Sequence, residues 1–356
     1  MKRGLQSLPN EAGETKLNDG LINVAVIGVG AFGRNHARVY HQLAQQGEAV
    51  RLLGIVDNDL ARADTVAREF GCRAFGSTEQ LLTTHSEIQA ASVAVPTNHH
   101  LSVARALMQA GVDVLIEKPL APSLAEADEL VQLARRYDRV GQVGHLERFN
   151  PAVQATLPLV TQPMFFEVHR LSVFTPRSLD VDVVLDLMIH DLDIVLCFAN
   201  SAVKEIRAVG LPILSSKVDI ANVRIEFDSG CVANFTASRV STEQVRKLRF
   251  FQPRQYISLD YSRQDVLVFA VGEDGETGTP SVNPRIKVVR PTIVSEEPLR
   301  AELKSFLDAV RTRSKPVISL EDGRRALALA LQVEAAIREH GERVNLDRLI
   351  PAPLGN

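Results

Sequence analysis

INVAVIGVGAFGRNH, residues Ile22–His36, is the stretch that decides the fold. Its first part, Ile22–Val29, is a β-branched apolar run that ends in glycine, as in a strand buried on both faces of a sheet. A helical pattern of apolar residues then runs from Phe32 to about Gln46. A strand, a glycine-rich turn and a helix therefore follow one another directly.

The same alternation continues outward from this stretch. Four further apolar runs have the pattern of strands: RLLGIVD (Arg51–Asp57), ASVAVP (Ala91–Pro96), VDVLIE (Val112–Glu117) and VGQVGH (Val140–His145). Helical patterns lie over Asp59–Phe70, over His99–Ala110 and after Ser123, whose spacing to Glu126 has the form of a capping box. Strands that alternate with helices of this length form βαβ units, so this part is predicted to be α/β, with a doubly wound parallel sheet.

The second half of the chain has a different pattern. Val218–Val240 alternates apolar and other residues around Asp228-Ser229-Gly230, which indicates a β-hairpin. Three more strand patterns follow, VRKLRFF, QYISLDY and DVLVFAV, and Glu273–Pro284 has the composition of a loop. We expect a mobile tail over residues 1–20, one domain over 21–145 and a second over 146–356, whose last helices (about 320–342) pack back toward the first domain.

Composition excludes several classes of protein. Of 356 residues, 45% are hydrophobic and 23% are charged, and the formal net charge is −3, which favours neither nucleic acid nor an anionic membrane as a partner. Three widely separated cysteines offer no disulfide framework or zinc pattern, and they suit a reducing compartment. No apolar run has the length of a signal peptide or a membrane span, so we expect a cytoplasmic protein.

The glycine-rich turn predicts a dinucleotide site, because it follows a strand and opens a helix. Gly28 makes the tight turn, Gly30 lets backbone amides approach a pyrophosphate, and Gly33 lets the helix pack close to the strand. Ala31 and Phe32 lie between these glycines and are expected to contact the cofactor as well.

Asp57 and Asn58, at the end of the second strand, predict which dinucleotide binds. A carboxylate at this position accepts hydrogen bonds from the adenosine ribose hydroxyls and repels a 2′-phosphate, and Asn58 adds no positive charge. NAD is therefore favoured over NADP. Arg62 is near in sequence, but helical geometry can equally direct it into solvent.

Several motifs, in order, resemble one known family: VIGVGAFGRNH (Val26–His36), VPTNHH (Val95–His100), EKP (Glu117–Pro119), GHLERFNP (Gly144–Pro151) and DLMIHDLD (Asp186–Asp193). With the closing helical patterns PLRAELKSFLDAV and ISLEDGRRALALAL, the chain resembles the glucose–fructose oxidoreductase / inositol dehydrogenase / MocA family over nearly its whole length beyond the tail. The resemblance implies a Rossmann domain followed by an α/β domain with an open, mainly antiparallel sheet. It also implies a homodimer or homotetramer formed through that sheet.

Lys118, Asp186 and His190 are the candidate catalytic residues. Lys118 follows a parallel strand at its carboxyl end, where ligands bind in doubly wound sheets, and it can act as a base or polarise a substrate oxygen. The spacing of Asp186 and His190 puts both on one face of a helix. The resemblance implies that Lys118 is the catalytic lysine, that His190 is an acid/base group, and that Asp186 orients the sugar.

No metal is expected at this site. Asp191 and Asp193 fall on other helix faces than Asp186 and His190, and the resemblance implies a family that works without metal.

The resemblance also implies a set of cleft residues. His145, Arg148, Phe149 and Asn150 follow the strand Val140–His145 and are expected to contact substrate. Pro96, Asn98, His100 and Glu117 join Lys118 as expected cofactor contacts, although Pro96, Asn98 and His100 can equally be turn or helix-start residues. Arg170 and Arg177 have the chemistry to bind a pyrophosphate bidentately, or they are ordinary surface arginines.

The GHLERFNP variant resembles family members that act on nucleotide-linked N-acetylated amino sugars at carbon 3. The expected function is therefore NAD-dependent oxidation of the 3-hydroxyl of a UDP-linked amino sugar, as in a UDP-N-acetylglucosamine 3-dehydrogenase, with the 3-keto product passed to an aminotransferase. The alternatives are an inositol or free-sugar dehydrogenase, an NAD-using glycosidase, and a non-catalytic NAD(H)-sensing protein.

Overall fold

A computed structural model describes residues 20–175, 181–271 and 286–346. Arg177, the first nineteen residues of the expected tail and the expected loop Glu273–Pro284 lie outside these ranges. No helix in the described ranges is both long and apolar enough to cross a membrane.

The first sheet is parallel and has six strands, in the order β3-β2-β1-β4-β5-β6. Its strands are β1 (Ile22–Ile27), β2 (Val50–Val56), β3 (Arg73–Phe75), β4 (Ala90–Val93), β5 (Asp113–Glu117) and β6 (Gly141–Gly144). The helices between them are α1 (Ala31–Gln45), α2 (Leu60–Phe70), α3 (Thr78–Thr84), α4 (His100–Gln109) and α5 (Leu124–Arg136). The predicted Rossmann arrangement is confirmed; the sequence pattern had not revealed the short strand β3.

Helices cover both faces of this sheet, because its strands are apolar on both sides. Alternate side chains of β1, β2, β4 and β5 enter the cores on the two faces, where α1 and α2 pack on one side and α4 and α5 on the other. Polar N-cap residues begin two of these helices. Asp59 accepts from the amide of Arg62 at the start of α2, and Ser123 accepts from the amide of Glu126 at the start of α5.

The second sheet has eight strands in the order β14-β13-β12-β11-β7-β10-β9-β8 and is antiparallel except for the pair β7/β10. Its strands are β7 (Phe165–Val173), β8 (Val203–Leu211), β9 (Ile220–Phe227), β10 (Val232–Ser241), β11 (Val245–Gln252), β12 (Gln255–Asp260), β13 (Asp265–Val271) and β14 (Ile286–Val289). The hairpin predicted around Asp228-Ser229-Gly230 is the pair β9/β10. This largely antiparallel sheet confirms the predicted fold class.

Four further α-helices lie in the described ranges: α6 (Pro151–Thr156), α7 (Ile189–Ala199), α8 (Pro298–Thr312) and α9 (Leu320–Arg343). α7 packs on one face of the second sheet, where Phe166, Phe235 and Phe250 are buried. α8 packs on the first sheet through Leu303 and Phe306.

The long helix α9 joins the two cores. Its first turn lies on β6, where Leu320 packs over Gly141 and Gly323 packs against Val143. Farther along, Leu329 and Val333 belong to the core of the second sheet. One helix therefore packs on both sheets. We call the junction at the carboxyl edge of the first sheet, where Lys118 meets Asp186, the cleft.

Candidate active site

The glycine turn leaves the start of α1 open to a ligand. Gly28 has φ +85°, and an added Cβ would lie 2.7 Å from the carbonyl oxygen of Ala94. A Cβ on Gly33 would lie 1.8 Å from the carbonyl oxygen of Gly28, so only glycine lets α1 approach the turn. At Gly30, in contrast, a Cβ would meet no atom within 4 Å, and Phe32 is exposed beside it. This free space over the helix N-terminus fits a pyrophosphate.

Asp57 is buried at the end of β2 and is tied to the glycine turn. Its Oδ2 accepts from the amide of Val29 at 2.9 Å and from Nε of Arg62 at 3.1 Å. Its Oδ1 accepts from the amide of Asp59 at 2.9 Å and from Nη2 of Arg62 at 2.6 Å. Burial alone would raise the pKa of Asp57, but these hydrogen bonds lower it below its ordinary value, so the carboxyl is ionised. Asn58, the next residue, is exposed.

Lys118 and Asp186 meet across the cleft. Lys118 Nζ donates to the backbone carbonyl of Asp186 at 2.7 Å and lies 3.9 Å from its Oδ1. Asp186 lies in a π-helical segment, Val184–Met188, that runs directly into α7. The sequence spacing predicts an ordinary α-helical turn at this place, and the structure has the wider turn instead. Such wider turns are frequent at functional sites.

Burial makes both candidate acid/base groups less basic than usual. Burial lowers the pKa of Lys118, and the nearby carboxylates of Asp186 and Glu117 oppose this shift. The pKa of His190 lies well below its ordinary value because of burial and of the positive charges of Lys118 and Arg170. His190 is therefore neutral near pH 7 and is able to accept a proton.

His145 and His190 have buried ring nitrogens without hydrogen-bond partners in the described ranges. These are both nitrogens of His145 and Nδ1 of His190. Each ring lies close enough to Lys118 to have its pKa lowered by the lysine charge, after the larger effect of burial. Buried polar atoms are nearly always paired in folded proteins, so unpaired ones around a cleft indicate a ligand site.

Of the three arginines that the sequence proposed as substrate contacts, the two in the described ranges make ion pairs within the protein. Arg148 makes a bidentate pair with Asp193 at 2.7 and 2.9 Å. Arg170 pairs with Asp191 at 2.5 and 3.0 Å and donates to Glu147 at 3.1 Å. Because these donors are engaged, we attribute to Arg148 and Arg170 a positioning role in place of direct contact with substrate.

Phe149 and Asn150 also make internal contacts. Phe149 is buried in the core of the first sheet. Asn150 caps α6 by accepting from the amide of Ala152, and it donates to the backbone carbonyl of Tyr261 at 3.1 Å. Both residues shape the wall of the cleft from behind.

The loop after β4 presents its residues differently. Pro96 and Asn98 are exposed at the sheet edge, as a cofactor contact requires. His100 is buried, and its ring nitrogens lie 3.0 Å from the carbonyl oxygen of Val95 and 3.2 Å from that of Leu120. This imidazole therefore links the loop after β4 to the loop after β5.

A buried polar cluster lies behind the end of β5. The Glu117 carboxylate lies 2.8 Å from Nε2 of His36, whose Nδ1 lies 3.0 Å from Ser92 Oγ. The side chain of Glu302, from α8, is fully buried, and neither of its oxygens has a hydrogen-bond partner in the described ranges. One potential metal-ligand atom from each of His36, Glu117 and Glu302 lies within 4.8 Å of the other two. Since Ser92 and Glu117 already engage both His36 nitrogens, we interpret the cluster as a hydrogen-bonded His36–Glu117 pair beside a buried Glu302 carboxyl group.

Sequence reasoning missed Arg246 and Glu302. Arg246 has the same strand parity as Leu248 and Phe250, the inward residues of β11, and a charge at an inward position is a usable signal. Glu302 lies at a buried position of a helical pattern, where a carboxyl group is unexpected.

Comparisons with known proteins agree with this geometry. Residues 22–145 match the family model described as an oxidoreductase family with an NAD-binding Rossmann fold, GFO/IDH/MocA. Residues 160–255 match the model of the GFO/IDH/MocA C-terminal domain.

Individual relatives extend the match to nearly the whole chain. The UDP-N-acetylglucosamine 3-dehydrogenase of Acidithiobacillus ferrooxidans is 38% identical over 90% of this chain and 99% of that protein. The myo-inositol 2-dehydrogenase of Thermotoga maritima is 25% identical over 92% of this chain and 100% of that protein.

Solved structures show the same fold. The A. ferrooxidans enzyme superposes with a TM-score of 0.80 at 36% identity, over 89% of this chain and 98% of that one. Levoglucosan dehydrogenase in complex with NADH, at 16% identity, superposes with a TM-score of 0.78 over 89% of this chain and 97% of that one. The chain therefore belongs to the glucose–fructose oxidoreductase / inositol dehydrogenase / MocA family of NAD-binding oxidoreductases.

Proposed function

We propose that this protein oxidises the 3-hydroxyl of a UDP-linked N-acetylated amino sugar and uses NAD⁺ as hydride acceptor. The observation that carries the proposal is the identity of 38% over nearly the full length of a UDP-N-acetylglucosamine 3-dehydrogenase. The open glycine turn and the juxtaposition of Lys118 with Asp186 support the same chemistry.

One group of residues in this chain binds the cofactor, and another group binds the alcohol that is oxidised. The turn Gly28–Gly33 leaves room over Gly30 for the pyrophosphate, and Asp57 accepts from the adenosine ribose. NAD⁺, when bound, supplies the acceptor for the hydride that leaves carbon 3. Pro96 and Asn98 lie exposed at the same sheet edge and line the cofactor side of the cleft.

His190 and Lys118 act on the substrate hydroxyl group. Neutral His190 takes the proton from the substrate hydroxyl as the carbon–hydrogen bond breaks and the carbonyl forms. Lys118, held by the carbonyl and carboxylate of Asp186, donates a hydrogen bond to the substrate oxygen and stabilises its developing negative charge. Asp186 thereby sets the position of the lysine, and His145 offers its unpaired nitrogens to the sugar.

The test is turnover with NAD⁺ on a panel of UDP-sugars, free amino sugars and polyols. We expect NADH and a 3-keto product from UDP-N-acetylglucosamine. Lys118→Ala is expected to lower kcat by about 10²–10⁴-fold while the Kd for NADH stays within about twofold. Turnover of polyols alone would refute the substrate, and unchanged turnover of Lys118→Ala would refute the mechanism.

A second candidate is an inositol dehydrogenase, favoured by the match to the T. maritima myo-inositol 2-dehydrogenase over the full length of that protein. The same panel distinguishes it, because myo-inositol carries no phosphate and no N-acetyl group.

We further propose that two or more copies associate through the second sheet in the cytoplasm, and that an aminotransferase consumes the 3-keto product. The outer face of that sheet supports the first proposal. Phe165, Phe251, Tyr256 and Phe269 form an aromatic row there, with ring centroids 4.9–5.8 Å apart. A boundary between the two domains near residue 145 is likewise our proposal.

A further inference from the structure

Arg246 is a positively charged side chain that faces the cleft and that the mechanism does not use. It lies on β11 opposite Arg170 of β7, on the inner face of the sheet that also carries Leu248 and Phe250. Its charge lowers the pKa of His190, so the guanidinium lies near the proposed proton acceptor.

No side chain in the described ranges neutralises this arginine. Its Nε is buried without a hydrogen-bond partner, and no carboxylate there lies within ion-pair distance of it. The nearby carboxylates of Glu147 and Asp191 already bind Arg170. Burial lowers the pKa of Arg246, and the positive charge of Arg170 lowers it further. The Glu147 and Asp191 carboxylates raise this pKa, but each has a smaller effect than Arg170.

A half-buried cation without a counter-ion lowers the stability of the folded protein, because the charge has lost part of its hydration. Binding of an anion offsets this loss. The unpaired nitrogens of His145 and His190 lie in the same cleft, so Arg246 is part of a wall with several unoccupied donors and acceptors. A guanidinium binds phosphate oxygens through two parallel N–H donors. In a UDP-linked amino sugar the diphosphate is the group that carries negative charge; the uracil, ribose and sugar are neutral.

We propose that Arg246 binds a phosphate of the nucleotide-sugar substrate and so selects nucleotide-linked sugars over free sugars. This inference rests on the function proposed above. It gives Arg246 the role that the sequence had suggested for Arg170.

The kinetic test compares Arg246→Gln with the wild type on UDP-N-acetylglucosamine, N-acetylglucosamine 1-phosphate and N-acetylglucosamine. We expect KM for UDP-N-acetylglucosamine to rise about 10–100-fold, the effect of one lost charge-assisted contact, with kcat within about threefold. The KM for N-acetylglucosamine should change less than about twofold. An equal rise for charged and uncharged sugars, or no rise at all, would overturn the proposal.

Arg249→Gln is the matched control, because Arg249 lies on the same strand but on the opposite face, where it pairs with Glu167. It should leave every KM within about twofold. Oligomeric state and Tm are measured for both variants, so that loss of assembly or of folding is recognised.

A binding measurement separates the two proposals. The Kd of UDP is measured by calorimetry with saturating NADH, which needs no turnover. Weaker binding by about tenfold in Arg246→Gln alone supports the phosphate site even if no UDP-sugar is oxidised, an outcome that would refute only the proposed function. Equal Kd values for wild type and Arg246→Gln, or no binding of UDP to the wild type, would overturn the phosphate site.

Discussion

At the scale of single residues, we expect Asp57 and Arg62 to control cofactor choice together. All four hydrogen bonds to the Asp57 carboxylate come from the chain itself, and two of them come from Arg62. Arg62 is 46% exposed, so it can turn outward when a ribose takes its place. Removal of the carboxylate leaves this arginine free to pair with a 2′-phosphate.

We therefore expect Asp57→Ser to raise KM for NAD⁺ by about 10–100-fold and to increase kcat/KM with NADP⁺. Steady-state kinetics with both cofactors measure the change. The double variant Asp57→Ser with Arg62→Gln is the control and should lose the gain with NADP⁺. If the gain persists in the double variant, Arg62 is not its cause.

His190 predicts the acid limb of the pH–rate profile. A base must be deprotonated to act, and burial with nearby positive charge lowers the pKa of His190 well below 6.5. The kcat/KM for alcohol oxidation should stay level as pH falls to 6.5 and decline only at lower pH. A decline that begins above pH 6.5 would contradict the assignment of His190 as the base.

Glu302 predicts how stability depends on pH. Burial and the nearby Glu117 carboxylate raise the pKa of Glu302 well above 4.5. The folded chain then holds this proton more tightly than the unfolded chain, so the free energy of unfolding falls as pH rises from about 4.5 toward the raised pKa. In Glu302→Gln the side chain has no proton to release, so this loss of stability with rising pH is absent.

Glu302→Gln should therefore be more stable than the wild type at pH 8, by roughly 1–3 kcal/mol, with a smaller difference at pH 5. Denaturant unfolding at both pH values measures it. Asp308→Asn, on the exposed face of the same helix, should show no such pH-dependent difference. A variant that loses stability equally at both pH values would show that Glu302 acts as an ionised partner.

At the scale of elements, two glycines of one turn have separable roles. A Cβ on Gly33 would overlap the Gly28 carbonyl, so Gly33→Ala must push α1 away from β1 and should cost roughly 3 kcal/mol or more. A Cβ on Gly30 meets no protein atom but occupies the space for the pyrophosphate.

Gly30→Ala is therefore expected to keep the wild-type Tm without cofactor and to raise the Kd for NADH at least about tenfold. Gly33→Ala should lower Tm in the absence of cofactor. Thermal unfolding and NADH titration of both variants provide the comparison. A cofactor-free Tm that falls equally in both would mean that the turn has no open space over Gly30.

The elements themselves were largely predictable from local pattern. The glycine turn, the alternating strands and helices, and the hairpin at Asp228-Ser229-Gly230 all follow from periodicity and turn chemistry, which act over a few residues. β3 was missed because it has only three residues and no full period. The π-helical segment at Asp186 was missed because every residue from Val183 to Ile189 except Asp186 is apolar, so a wider turn does not show in the apolar pattern.

At the scale of the whole molecule, the outer face of the second sheet predicts self-association. Phe251 is 40% exposed in the aromatic row, and Ile286 and Val288 extend the apolar surface across β14. A second copy that covers this face would bury it, which favours a dimer or tetramer.

Phe251→Glu should therefore lower the mass measured by light scattering toward that of one chain. Ile213→Glu, on an exposed apolar residue in the loop after β8, should leave the mass unchanged. A mass for Phe251→Glu equal to that of the wild type would place the interface on another surface.

The sequence by itself predicted most of the strands and helices, the glycine turn, the family and the candidate residues Lys118, Asp186 and His190. Only the tertiary structure decided which charges remain available to a ligand. Arg170 pairs with Asp191, 21 residues away, and Lys118 meets Asp186 from 68 residues away. The periodicity of apolar residues depends on local backbone structure. The partners of buried charges, in contrast, depend on packing between segments that are distant in the sequence. The environments of Arg246 and Glu302 could therefore be recognised only in the folded chain.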